Sequence, residues 1–346
     1  MTSKSRYFLL TSAVVLAVGL GGGLMAYLAY QRTSGIPAGV PEEITYVPAN
    51  AAVVVYANVR ALMSSDLRRE LMPAIEHGSR KGRQMMNDFA GIDLEKQVDH
   101  VVAYMEPSNA ADAAADKATP SLETLHNVLT PQALMLVQGT FDQARIEQFI
   151  RDKGGVIDTH NGHHISVHQD TEHAIGFLRP DLLVVGRARL VRRALDAPGQ
   201  AQDLTTNDEV MRLVRDASGS TVWVVGHFDA VSRGLKLPGS VSGQVPPVRL
   251  VSARATINGG VTATIRAEAS DATAAEQLRE VVRGFVALAR LQGGKQPQFD
   301  AALKSIALSG TGKTVQLSFA ISPETLRALA PPHHSLPPSP PPSTPQ

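Results

Sequence analysis

A chain of 346 residues is long enough for two domains of ordinary size, each burying its own core. With 33 basic against 32 acidic residues and a net charge of +1, no overall field attracts nucleic acid, and nucleic-acid binding is not expected. The absence of cysteine excludes disulfides, thiolate zinc sites, covalently attached c-type haem and a cysteine nucleophile, so any metal site must rest on His, Asp and Glu.

In chain order, residues 8–30, FLLTSAVVLAVGLGGGLMAYLAY, carry no charge and, at about 1.5 Å per residue, are long enough to cross a bilayer core of about 30 Å. They read as one transmembrane helix. Lys4 and Arg6 precede it and only Arg32 closely follows, which puts residues 1–7 in the cytoplasm and the bulk of the chain outside the cytoplasmic membrane. The alternative is secretion after signal cleavage. The apolar run is longer than a usual signal core and MAYLAYQ offers no small-x-small cleavage site, whereas the triple glycine at 21–23 weakens the helix. Residues 31–44, rich in proline and turn formers, read as a linker.

Two similar blocks follow. The first, 45–197, opens with AAVVVYANVRAL, a strand running into a turn or helix. It continues through a long amphipathic helix near residues 66–88 to the strand DHVVAYMEP. An Ala/Asp-rich insertion leads to the strand ALMLVQGTF and the helix DQARIEQFIRDKG. The strands VIDTH, HHISVHQ, HAIGFLR and DLLVVG and the helix RARLVRRALD complete the block. Residues 198–217 connect the blocks and hold a helix that Thr206 or Asn207 can cap, with Asp208 and Glu209 in its first turn.

The second block, 218–330, opens with STVWVVGHFDAV, pairs VRLVSARATIN with VTATIRAEAS, and continues with the helix DATAAEQLREVVRGFVALARL. It ends in the strands LKSIALSG and TVQLSFAIS and the helix PETLRALA. Residues 331–346 are a proline-rich tail that builds neither helix nor sheet. The expected fold is α+β, two similar antiparallel-sheet units with helices packed on one face, preceded by a single transmembrane helix.

The segments YVPANAAVVVYANVRAL, NGHHISV, AIGFLRPDLLVVGRARLVRRALD, VWVVGHF and VQLSFAISPETLRAL resemble a loose family of uncharacterised bacterial exported or membrane-anchored proteins with duplicated α+β domains. The resemblance implies the architecture and carries no known activity, since its motifs are strand ends, a hairpin glycine and helix starts.

The densest candidate chemistry is DTHNGHHISVHQDTEH, residues 158–173, which holds five of the chain's 11 histidines. Asn161-Gly162 is a two-residue hairpin signal, because a type I′ turn needs positive φ at both central positions. His160 then pairs with His163 and Asp158 with Ile165, all on one face, while His164, Ser166 and His168 take the other. The five histidines therefore cannot converge on one ion. Asp158, His160 and His163 remain as weak candidate ligands for Zn or Cu, with His168, Asp170 and His173 as a second possible set; a pH response of the clustered imidazoles is a further option.

SGTGKT at 309–314 lacks the first glycine of a phosphate-binding loop, having Ala307 there, and lies between two strands, so it reads as a hairpin turn. RKGR at 80–83 and RARLVRR at 187–193 read as solvated helix faces. No nucleophile elbow, Ser-x-x-Lys in a suitable setting or HExxH helix occurs. The expectation is a membrane-anchored extracytoplasmic binding or scaffolding protein, non-catalytic and without a cofactor. Its partners are the lipid bilayer, through residues 8–30, and an envelope protein or polymer. The alternative is an extracytoplasmic metal-binding protein or metal-dependent hydrolase using the 158–173 hairpin.

Overall fold

The computed structural model describes residues 39–66, 92–107, 133–152, 154–167, 173–196, 202–235, 246–293 and 297–329. The expected membrane span 8–30, most of the linker, the amphipathic helix near 66–88, the Ala/Asp-rich insertion, His168, Asp170 and the proline-rich tail lie outside them. Among the described residues no helix is long and apolar enough to cross a membrane.

The first block provides β1 (Val53–Ala57), α1 (Val59–Ser64), α2 (Leu94–Gln97), β2 (Val98–Met105), β3 (Ala133–Gly139) and α3 (Gln143–Asp152). It continues with β4 (Val156–His160), β5 (His163–Val167), β6 (His173–Arg179), β7 (Leu182–Arg187) and α4 (Ala188–Asp196). A connecting helix, α5 (Asp208–Ala217), precedes β8 (Val222–His227), α6 (Phe228–Leu235), β9 (Val248–Asn258), β10 (Gly260–Ala269) and α7 (Ala272–Gly293). The chain then forms α8 (Pro297–Ser305), β11 (Ala307–Ser309), β12 (Thr314–Ile321) and α9 (Pro323–Leu329).

All these strands belong to one 12-stranded sheet in the order β11-β12-β10-β9-β8-β1-β2-β3-β7-β6-β5-β4. The expectation of a separate sheet in each block is corrected at its centre. β1 and β8, the opening strands of the two blocks, pair antiparallel with Val55 opposite Val224. Both are short apolar strands, and pairing satisfies an edge that each would otherwise expose.

Directly paired residues share a face of the sheet, so the register can be followed across it. Ile157, Ser166, Ile175, Val185, Met135, Ala103, Val55, Val224, Ala253, Ile265, Leu317 and Leu308 form one row, apolar except for Ser166. On this face α3 packs Ile146 and Ile150 against Val137, Ile175, Phe177, Leu183 and Val185. Farther along the sheet, α7 packs Ala274, Ala275 and Leu278 against Ala269 and Val315.

The opposite face starts apolar and turns polar. Leu134, Tyr104, Val54 and Val225 lie in one row that continues through Ser252 and Arg266 to Gln316. Its apolar half is covered by Leu190, Val191, Ala194 and Leu195 of α4 and by Val210, Met211, Leu213, Val214 and Ala217 of α5. Helices thus cover both faces, correcting the expectation of one. The reason is visible in β7: Leu182–Gly186 are all buried, and a strand with both faces buried needs cover on each side.

Local chemistry fixes the helix starts. Asp142 Oδ1 accepts from the Arg145 N–H at 3.0 Å before α3, and Asp271 Oδ1 accepts from the Ala274 N–H at 2.8 Å before α7. Asn207 caps α5 by accepting from the Val210 N–H at 3.1 Å, and its amide donates to the Ala49 carbonyl at 2.9 Å. Residues 303–305, expected in a strand, close α8 instead; Pro297 at the first helical position is pre-set for helix entry. Val40, Glu43 and Ile44, at the end of the stretch read as linker, are buried in the molecule.

Candidate functional site

The histidine hairpin forms as the Asn-Gly signal dictates. Asn161 has φ 47° and Gly162 φ 81°, and His160 pairs with His163, Thr159 with His164 and Asp158 with Ile165. Each face of the hairpin then meets a different helix. On one, Nε2 of His160 lies 2.8 Å from Asp196 Oδ1, Asn161 donates to the same oxygen, and Arg192 donates to Asp158 Oδ2 at 3.2 Å, all from α4. On the other, Nδ1 of His164 lies 2.8 Å from Glu147 Oε1 of α3.

A carboxylate only accepts, so the ring nitrogens facing Asp196 and Glu147 are the protonated ones. The same logic puts the proton of His163 on Nδ1, which lies 3.2 Å from the Phe177 carbonyl oxygen. The three expected ligands are therefore engaged separately: Asp158 with a guanidinium, His160 with a carboxylate and His163 with the backbone of β6. Among the described residues no group of three or more His, Asp or Glu is arranged to hold a metal ion. His173 lies on β6 opposite Arg187, away from the turn.

The electrostatics of the hairpin are those of a joint. Burial alone would raise the Glu147 carboxyl, but hydrogen bonds from Gln143 and His164 and the charges of His164 and Arg151 outweigh it and hold the group below the usual carboxylate range. The Asp158 carboxyl is lowered by the Thr159 backbone N–H first and by Arg192 next. Glu147, Asp196 and Arg192 carry no sequence signal for this role, because each comes from a helix distant in the chain from the turn it meets.

A second polar cluster sits on the α4 face. Glu43, 2 % exposed, meets His100 Nε2 at 3.1 Å. The Tyr56 ring lies 5.6 Å from both His100 and Trp223, stacked on the latter. Burial, then the charge of Glu43, pushes the Tyr56 hydroxyl up. These groups tie the segment preceding β1 to the middle of the sheet.

A recess of about 660 Å³ lies at the β11 end of the α3 face. Arg283, Val286, Ala287 and Arg290 of α7 line it together with Ile306 and Leu308. Apolar surface continues beside it: Phe285 of α7 is 42 % exposed, and Ile265, in the same row as Leu308, is 39 % exposed. Arg283 pairs with Glu280 and, at 3.6 Å, with Glu276. Arg290 approaches the Leu303 carbonyl at 3.5 Å and makes no ion pair among the described residues.

No family model matches the sequence, and no curated protein matches it. Among solved structures, crystal form III of TP0453 is similar, with a TM-score of 0.49 and 13 % identity over 82 % of this chain and 96 % of that one. Crystal form I of TP0453 gives a TM-score of 0.47 and 12 % identity over 85 % of this chain and 98 % of that one.

Proposed function

We propose that the chain is a membrane-anchored, extracytoplasmic binding protein that performs no chemistry of its own, built as a tandem repeat of two α+β blocks. The apolar run 8–30 supports the anchor, and the Lys4, Arg6 and Arg32 pattern supports an inside N-terminus. The repeat is supported by the strand orders leading away from the β1–β8 seam, β1-β2-β3-β7 on one side and β8-β9-β10-β12 on the other. The matching aspartate caps before α3 and α7 support it as well.

The observation that carries the binding assignment is the recess beside α7. There apolar side chains line a concavity and two cations border it, with no carboxylate or imidazole among the lining side chains. In the hairpin, His160 and His164 meet carboxylates of α4 and α3, contacts between the sheet and its helices.

The test is a photoreactive side chain placed at Val286 in the full-length protein in its native membrane, with Thr262 on the polar face as the control position. A defined adduct at 286 and none at 262 is the expected result. Equal labelling at the two positions removes the recess as the binding site. Protease protection of residues 1–7 in sealed vesicles tests the orientation, and loss of the protein into the soluble fraction removes the anchor.

A further inference from the structure

The recess offers its occupant an apolar body and a cationic end, and from that pairing we infer that it binds a single-chain anionic amphiphile, of which a long-chain carboxylate is the simplest member. The inference rests on the binding assignment above and adds the chemical class of the ligand.

Four of the six lining side chains, Val286, Ala287, Ile306 and Leu308, have no hydrogen-bonding group, and the other two are guanidinium donors. A sugar or a polar peptide entering such a space loses its water and finds no side-chain acceptor. An alkyl chain needs none. The volume of about 660 Å³ falls within the roughly 300–1,000 Å³ typical of small-molecule sites. Addition of a peptide strand is also disfavoured, because the neighbouring edge strand, Ala307–Ser309, is only 3 residues long.

Arg283 and Arg290 are seven positions apart, two helical turns and about 10 Å along α7, so both face the recess with Val286 and Ala287 between them. Their states differ. Arg283 is already compensated by Glu276 and Glu280, whereas among the described residues Arg290 has the long contact to Leu303 O and no carboxylate partner. Arg290 therefore receives the anionic head, as a guanidinium binds a carboxylate through two parallel N–H donors, and Arg283 sets the positive rim. The chain of the ligand lies along Val286, Ala287 and Leu308, towards the exposed row that holds Ile265.

The probe is a diazirine-bearing decanoate added to the full-length protein in nanodiscs, with adducts mapped by peptide mass spectrometry. A diazirine-bearing decyltrimethylammonium of the same length is the comparison. Partition into the disc is common to all variants, so differences between variants report the recess. Carboxylate adducts are expected within residues 283–290 and 306–308. They should fall about tenfold or more in Arg290→Glu, persist in Arg290→Lys, and exceed those of the cationic probe. The lysine variant separates loss of charge from loss of fold. Equal labelling by both probes, or labelling indifferent to Arg290→Glu, overturns the anionic class and leaves a binding recess. No labelling of these peptides by either probe overturns the recess itself.

Discussion

At the residue scale, Glu147 shows how a buried carboxylate is held ionised. Its side chain, 8 % exposed, accepts from Gln143 at 2.8 Å, from His164 at 2.8 Å and from Arg151 at 3.2 Å. The carboxyl is therefore lowered below its ordinary value of 4.5 in the folded protein. A lowered folded pKa contributes stability that is fully present above the unfolded value and is lost as pH falls through the folded one. The wild type should accordingly lose stability as pH drops below about 4.5, and Glu147→Gln should lack this part of the acid limb. Near neutral pH the variant should be less stable by roughly 1–3 kcal/mol, because its amide replaces an ionic acceptor. Urea midpoints measured against pH decide it, and parallel curves for the two proteins would remove Glu147 as an ionic anchor. This partnership was not legible in the sequence, whereas the turn it braces was: Asn161-Gly162 encodes a local backbone conformation, and the contact between Glu147 and His164 exists only once α3 lies on the sheet.

At the element scale, the difference between β7 and β10 is one of cover. Leu182, Leu183 and Val184 of β7 are fully buried with α3 on one face and α4 on the other, whereas Ile265 of β10 keeps 39 % of its surface exposed. Leu183→Ala removes packing that cannot be replaced from either side and should cost about 2–5 kcal/mol. Ile265→Ala, at a half-open site, should cost less than about 1.5 kcal/mol, since little of its apolar surface is taken from water on folding. Denaturant midpoints with unchanged slope provide the comparison, and equal losses would mean that the row around Ile265 is covered by another part of the chain. The strands themselves were legible, because DLLVVG is a continuous apolar run and VRLVSARATIN alternates. Which helix covers which face was not. That depends on strand order in the sheet, and a periodic pattern marks an apolar side without naming its neighbour. The recess was hidden for the same reason: no pattern in the sequence brings Ile306 and Leu308 beneath Arg283 and Arg290 of α7.

At the scale of the whole molecule, the seam between β1 and β8 decides whether the blocks behave as one body or two. Five residue pairs, Val53–Gly226 through Ala57–Val222, join them in the sheet. On the α4 face, α5 packs its apolar side into a core cluster made of residues from both blocks, and its Arg212 donates to both oxygens of Glu268 on β10, at 2.8 and 2.9 Å. The repeated order of elements suggested two independent sheets, but a repeat records similar local patterns and does not show that an edge stays unpaired. The apolar character of VVVYA and VWVVG, each flanked by strands of its own block, is consistent with both outcomes until pairing is seen. Continuity through the seam predicts one cooperative unfolding transition for the described body. Trp223, the single tryptophan of the chain and 1 % exposed, stands at that seam stacked on Tyr56, so its emission reports the junction directly. Far-ultraviolet circular dichroism reports the helices and strands of both blocks. The two signals should follow one curve in urea, because the junction cannot open while either flanking block stays intact. Val224→Asp, which introduces an unpaired charge into the same seam, should shift both curves together to lower urea. A tryptophan transition that precedes the loss of circular dichroism would show that the blocks part first and unfold separately.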